Sequence, residues 1–117
     1  MNAQQIQQKI EGYHYWDARM VKLRSDYFGY EVKIVFQDTD GEVKIHFLGC
    51  SRVCFTTSIE DRLHPLREMN LSQIPYFIQD IDITEYEKCN KSLFNCRVTA
   101  PPLDIEIVCN SMLVNKE

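Results

Sequence analysis

The stretch "YEVKIVFQDTDGEVKIHF", residues 30–47, alternates apolar and polar side chains on either side of an Asp-Gly pair. Successive side chains of a β-strand point to opposite faces, so this period of two predicts two strands with one buried face each. Asp40 and Gly41 are the residue types that hairpin turns favour. We therefore expect an antiparallel hairpin whose first strand buries Tyr30, Val32, Ile34 and Phe36.

A short helix is expected ahead of this hairpin. Within residues 3–13, Ile6 and Ile10 stand four positions apart, which places them on one helix face, and glutamines fill most other positions. Asn2 is a favoured N-cap residue and Gly12 a favoured stop. The pattern thus predicts one amphipathic helix at the N-terminus.

The rest of the chain repeats the strand pattern, with one interruption. Alternation recurs over residues 18–28, 76–89, 92–100 and 103–113. Residues 58–75 break it, and Pro65 and Pro75 exclude a long helix there. The prediction is an α+β, mainly β fold in which residues 1–117 form a single domain, a size typical of one domain. An N-terminal helix is followed by a six- or seven-stranded antiparallel meander sheet, with a short helical or irregular insertion around 58–75.

The charge balance argues against nucleic acid as the partner. The net charge is −4, whereas phosphate binding needs a concentrated surface of lysines and arginines. The basic residues that alternate with apolar positions are typical of solvated strand faces: Lys22, Arg24, Lys33 and Lys44.

Cysteine usage and hydropathy indicate a cytoplasmic protein. The N-terminal segment is polar and lacks the apolar run of a signal peptide. No stretch approaches the ~20 apolar residues of a membrane span. The five cysteines are an odd number, which favours reduced thiols acting as small buried apolar groups over a disulfide framework.

No pattern indicates a metal, a cofactor or a catalytic centre. His46, Cys50 and Cys54 repeat every four residues, but strand positions four apart are separated by ~13 Å, too far to share one ion. The acidic turn that starts at Asp38 lacks the glycine and glutamate spacing of a calcium loop. With four glycines in the chain, little backbone suits a phosphate loop or a nucleophile elbow. We expect a protein without enzymatic activity.

An acidic run, "DIDITEYE" at residues 80–87, is the best candidate for a binding surface. It contains no basic residue, and a meander can bring Asp104 and Glu106 close to it. A solvated sheet face is the plain interpretation; the sharper one is an acidic patch that steers a basic protein partner. Exposed aromatics such as Tyr27 or Tyr76 can anchor such a contact. The predicted partner-binding residues are Asp80, Asp82, Glu85, Tyr86, Glu87, Asp104 and Glu106.

The segment "YHYWDARM", residues 13–20, has two interpretations. It is either a structural junction, with Tyr13 and Trp16 closing the helix onto the sheet, or a pocket that binds a small molecule between the helix and the sheet. The residues concerned are Tyr13, His14, Trp16, Asp17 and Arg19, with Tyr15 as a further lining residue in the pocket.

Residues 13–57 combine a helix leading into "DARM", a strand, the acidic-Gly hairpin, and the segment "FLGCSRVCF". In this combination they resemble small bacterial protein families that are grouped with immunity proteins of polymorphic toxin systems. It implies a cytoplasmic, non-catalytic antitoxin that binds one cognate toxin domain, and the acidic balance suits a basic, nuclease-type toxin. The alternative is a small-molecule-binding or enzymatic domain with its pocket beside the helix. Self-association through unpaired edge strands is also open.

Overall fold

Helix α1 spans Ala3–Glu11 and confirms the prediction for the N-terminus. The Asn2 side chain accepts a hydrogen bond from the Gln5 amide, while the Gln5 side chain accepts one from the Asn2 amide. This reciprocal capping satisfies two amides that a helix start otherwise leaves without a partner. The computed structural model describes residues 2–39, 41–57, 66–70, 76–88 and 90–116.

Eight strands, rather than six or seven, follow the helix within the described residues, which confirms an antiparallel, mainly β fold. Two four-stranded sheets form, in the orders β1-β2-β3-β8 and β4-β7-β6-β5. The expected meander connectivity holds for β1–β3 and for β5–β7, whereas β4 pairs with β7 and β8 pairs with β3. The strands are β1 (Met20–Asp26), β2 (Glu31–Asp38), β3 (Gly41–Leu48), β4 (Arg52–Thr57), β5 (Asp80–Lys88), β6 (Lys91–Ala100), β7 (Leu103–Cys109) and β8 (Ser111–Lys116).

A corner in two neighbouring strands carries the chain from one sheet to the other. Leu48 pairs with Ser111 in the first sheet, and Arg52 pairs with Val108 in the second. Residues 49–51 on one side of the corner therefore lie opposite residues 109–110 on the other, and this extra residue makes a bulge. The Asn110 amide donates to the carbonyls of both Leu48 and Gly49. This corner splits the predicted last strand into β7 and β8.

A second connection joins the opposite edges of the two sheets. Residues 17–20 and 76–79 run antiparallel, with the amides of Asp17 and Met20 donating to the carbonyls of Ile78 and Tyr76. The Arg19 carbonyl accepts from Gln37 of β2, so residues 17–20 continue the first sheet. We call residues 17–20 with 76–79 the seam.

One core lies between the sheets and beneath α1. The predicted hairpin is confirmed, since Asp38 pairs with Gly41 and the alternating apolar side chains of β2 and β3 are fully buried. The placement of Tyr30 on the buried face is wrong: Tyr30 precedes β2, has helical backbone angles and is 60% exposed. Buried members from the two strands are Val32, Ile34, Phe36, Val43, Ile45 and Phe47.

Most of the insertion expected around residues 58–75 lies outside the described residues. The described part of it contains a short 3-10 turn, Leu66–Glu68. Among the described residues, no helix is long and apolar enough to cross a membrane.

Candidate functional site

The outer face of the second sheet gathers four of the predicted partner-binding carboxylates. Residues directly opposite one another in neighbouring strands share a face. Two adjacent rows cross the sheet in this way: Asp82–Arg97–Glu106 and Asp80–Thr99–Asp104. The four carboxylates therefore form one surface, named here the acidic face: Asp80, Asp82, Asp104 and Glu106.

Two arginines neutralise part of this charge. Arg97 Nη2 lies 2.9 Å from Asp104 Oδ2, and this hydrogen bond and the carboxylate charge raise the pKa of Arg97. Arg52 Nη1 lies 4.0 Å from Glu106 Oε1. Within the described ranges, neither Asp80 nor Asp82 forms an ion pair. The excess negative charge of the acidic face is therefore concentrated on β5.

Strand alternation separates the remaining predicted residues of β5. Tyr86 falls on the acidic face and is partly exposed. Glu85 and Glu87 lie on the opposite side of the strand, in phase with the buried Ile81 and Ile83. Glu85 Oε1 accepts a long hydrogen bond of 3.4 Å from the Ala3 amide at the start of α1. The structure thus brings together five of the seven predicted residues and places the other two elsewhere.

The connection between β1 and β2 presents aromatic side chains that the sequence interpretation largely missed. Tyr27 is 72% exposed and Tyr30 60% exposed, while Phe28 between them is fully exposed. Tyr76, the other expected anchor, packs partly buried against the core. We call residues 27–30 the aromatic turn; an exposed Tyr27 was expected, but the accessible side chains of Phe28 and Tyr30 were not.

The aromatic turn borders the acidic face. It lies over a 300 Å³ cavity whose other walls come from residues 50–53 at the corner and the start of β4. Arg52 lines this cavity and also reaches Glu106. One surface therefore runs from Phe28 through Arg52 to the carboxylates of the second sheet.

The outer face of the first sheet carries a group of basic side chains. Arg24 lies opposite Lys33, and Lys22 and Lys44 flank Val35 on both sides. The alternation expected for these four basic residues places them on this outer face. The apolar side chain of Val35 is buried there even though it faces outward, as happens when long basic side chains cover an apolar neighbour. Three carboxylates share this face, so it is mixed in charge: Asp26, Glu31 and Glu42.

The junction residues differ in how far they are buried. Tyr15 is buried, donates its hydroxyl to the Ile81 carbonyl at 3.2 Å, and has a raised pKa chiefly because of burial. Trp16 stacks on Tyr15 at 4.3 Å between ring centroids yet is 48% exposed. Tyr15 is thus the fully buried aromatic residue of the junction, whereas Tyr13 and Trp16 are the residues expected to close the helix onto the sheet. Tyr13 is half-buried against the core.

The polar junction residues lie at or near the seam. Asp17 has a positive φ of 62° and its Oδ1 accepts from Gln79 Nε2 at 3.2 Å. Arg19 stacks its guanidinium 4.7 Å from the centroid of the Phe77 ring, a cation–π contact. His14 is exposed, with a φ of 50°. These side chains do not converge on one point.

The groove between α1 and β5 differs from the pocket considered in the sequence. It has a volume of 630 Å³ and its described lining is mostly amide and carboxylate side chains. The junction residues do not line it. Its walls come from Asn2, Ala3, Gln4, Gln7, Gln8, Glu11, Ile83, Thr84 and Glu85.

Metal and thiol chemistry find little support in the described parts of the chain. No group of three or more His, Cys, Asp or Glu side chains in those parts is placed to hold a metal ion. Burial raises the pKa of Cys50 to about 11 and that of Cys109 to about 12. These thiols are therefore neutral and poorly nucleophilic at physiological pH.

A comparison with known families covers nearly the whole chain. The family model described as Immunity protein PIM7 matches residues 2–116. No curated protein matches the sequence.

Proposed function

Since the chain belongs to the Immunity protein PIM7 family, we propose that it is a non-catalytic antitoxin that neutralises a cognate toxin domain by binding it through the acidic face. The family match over residues 2–116 is the observation that carries this proposal. The proposed partner is a basic domain, such as a nuclease, whose own substrate is a polyanion.

The charge distribution supports a basic partner. Among the described residues, Asp80 and Asp82 form no ion pair, and the one hydrogen bond to their carboxylates is a long one of 3.4 Å from the Tyr15 hydroxyl to Asp80, so both carboxylates can pair with a cation brought by a partner. Complementary potentials raise association rates and suppress wrong partners. The outer face of the first sheet, where basic and acidic side chains are mixed, has no comparable excess of negative charge to attract such a partner.

The location on a sheet favours a rigid surface. The carboxylates of the acidic face are held in register by backbone pairing of β5, β6 and β7. A surface fixed before binding loses less conformational entropy when the complex forms. Tyr86 adds an aromatic side chain at the same face.

Protection from the toxin tests the proposal. The first step is to sequence the region upstream of this chain's gene; a C-terminal toxin domain encoded there is the probe, co-expressed with the wild-type protein or with a variant. Asp80→Lys with Asp82→Lys should abolish growth protection and lower the association rate by about tenfold or more, the range typical of lost electrostatic steering. The effect should shrink as ionic strength rises, because salt screens exposed charges.

Glu85→Lys with Glu87→Lys is a matched control. It changes the net charge by the same amount on the same strand, but on the opposite side from the acidic face. We expect this variant to protect as the wild type does. Circular dichroism first shows that both variants are folded, because Glu85→Lys also removes the hydrogen bond from the Ala3 amide. Equal loss of protection by two folded variants would show that total charge matters rather than the acidic face, and no protection by the wild type would refute the antitoxin proposal for this toxin.

A further inference from the structure

The aromatic turn has an unusual backbone for the residues it contains. Tyr27 and Phe28 have φ angles of 53° and 58°, and Gly29 follows with 91°. The left-handed region suits glycine or asparagine, whereas bulky side chains are rarely found there. Strained conformations of this kind persist when the surroundings hold them, and they concentrate at functional positions.

The surroundings of the turn do hold it. The Tyr30 amide donates to the Tyr27 carbonyl at 3.1 Å and closes the turn. The Cys50 amide donates to the Tyr30 carbonyl at 2.8 Å and ties the turn to the corner of the two sheets. The aromatic side chains are thus presented on a backbone fixed at both ends.

The most exposed side chain of the turn makes no packing contact with the core that could offset the backbone strain. Phe28 is fully exposed and belongs to no part of the core. A loop that only connected β1 to β2 would be better served by a small or polar residue at this φ. The packing of the described chain therefore does not offset the cost of an exposed phenylalanine in a left-handed conformation, and exposed aromatic side chains of this kind are typical of protein-binding surfaces.

We propose that Phe28 is the hydrophobic anchor of the antitoxin, inserting into an apolar pocket of the toxin domain beside the basic surface that meets the acidic face. This inference rests on the proposed function and identifies a second part of the same interface. The continuity through Arg52, which lines the cavity under the turn and reaches Glu106, places both parts on one partner. Tyr27 and Tyr30 flank the anchor and exclude water around it.

The experiment uses Phe28→Asn in the full chain with the same upstream-encoded toxin domain. Asparagine tolerates the left-handed φ, so the melting temperature should stay the same or rise. Binding should weaken by about 30-fold or more, the loss typical of an anchor residue, and growth protection should fall. A connecting loop without a binding role predicts unchanged binding alongside the same melting temperature.

Leu113→Asn serves as the control, because Leu113 is 50% exposed on β8 and lies opposite His46, on the outer side of the first sheet. It should leave binding unchanged; equal losses in Phe28→Asn and Leu113→Asn would overturn the anchor role. If the wild type protects and Phe28→Asn protects equally, the anchor is refuted while the antitoxin function stands. If the wild type fails to protect, the proposed function itself fails. A wild-type dimer that Phe28→Asn converts to a monomer would identify a second copy as the occupant and also refute the proposal.

Discussion

The side-chain amide of Gln7 is paired with the exposed edge of β5 in the way a neighbouring strand would be. Its Oε1 accepts from the Ile83 amide at 2.8 Å, and its Nε2 donates to the Ile81 carbonyl at 2.7 Å. One helical side chain thereby satisfies a donor and an acceptor that an edge strand leaves open to association with other chains. The helix is docked by hydrogen bonds as well as by the apolar contacts of Ile6 and Ile10.

Replacing Gln7 with methionine should therefore destabilise the fold. The change keeps the length of the side chain but leaves the Ile83 amide without its side-chain partner and the Ile81 carbonyl with the Tyr15 hydroxyl alone, at an expected cost of about 1–3 kcal/mol in the free energy of unfolding. Urea denaturation measures this loss. Gln8→Met, at an exposed position of the same helix, should change the unfolding free energy by less than about 0.5 kcal/mol; equal losses would show that Gln7 has no special role.

Asp17 should contribute to stability rather than to partner binding. Asp17→Ala removes the hydrogen bond from Gln79 and places an alanine at a positive φ, where it is strained. We therefore expect the free energy of unfolding to fall by about 1–2 kcal/mol. Asp17→Asn keeps a side chain that tolerates this φ and should lose less. Thermal unfolding compares the two variants, while affinity for the toxin domain should stay at the wild-type value; weakened binding without loss of stability would contradict this assignment.

Gly49 should not tolerate a side chain. Its φ is +64°, and a Cβ there would lie 2.9 Å from the Cβ of Asn110. Both the backbone conformation and the contact are unfavourable, so Gly49→Ala should lower the unfolding free energy by about 2 kcal/mol or more. Combining it with Asn110→Gly removes the contact and leaves the backbone strain. The double variant should recover part of the loss in denaturant titrations, and strictly additive losses would argue against the contact.

The cysteines should differ in reactivity when the protein is folded. At pH 8, a thiol with a pKa of about 11, as for Cys50, is about 0.1% thiolate. Burial acts in the same direction on Cys96 and Cys109. Cys54 is exposed, so brief iodoacetamide treatment should label it and spare Cys50, Cys96 and Cys109, as judged by mass spectrometry of the peptides that carry these four described cysteines. In urea all five cysteines of the chain should react, and rapid native labelling of Cys109 would show that the corner opens.

Local sequence patterns were sufficient for the helix, the central hairpin and the fold class. The extra strand was not recognised, although the sequence contains a trace of it. Up to Cys109 the side chains that join the core stand at odd-numbered positions, namely Ile105, Ile107 and Cys109. After it they stand at even-numbered positions, namely Met112 and Val114. This shift by one residue at Asn110 is what a bulge produces. Which sheet each half joins depends on pairing with distant strands, which a single sequence does not specify.

The candidate site was predicted in part for similar reasons. Treating the acidic run as one group placed Glu85 and Glu87 with Asp80 and Asp82, although the strand period separates them. The aromatic turn was missed because Tyr30 fits the alternation of β2, and because bulky residues do not signal a left-handed backbone. The hydrogen bond from the Cys50 amide that holds the turn comes from a distant segment.

The corner also affects how the molecule unfolds. Two adjacent chain segments, β3 with β4 and β7 with β8, run through both sheets, so neither sheet can open without disturbing strands that belong to the other. Amide hydrogens of the central strands in both sheets should then exchange with solvent through one shared opening event of a single free energy. The acidic face belongs to the second sheet and the aromatic turn to the first. A toxin domain that binds both would therefore slow this exchange throughout the molecule.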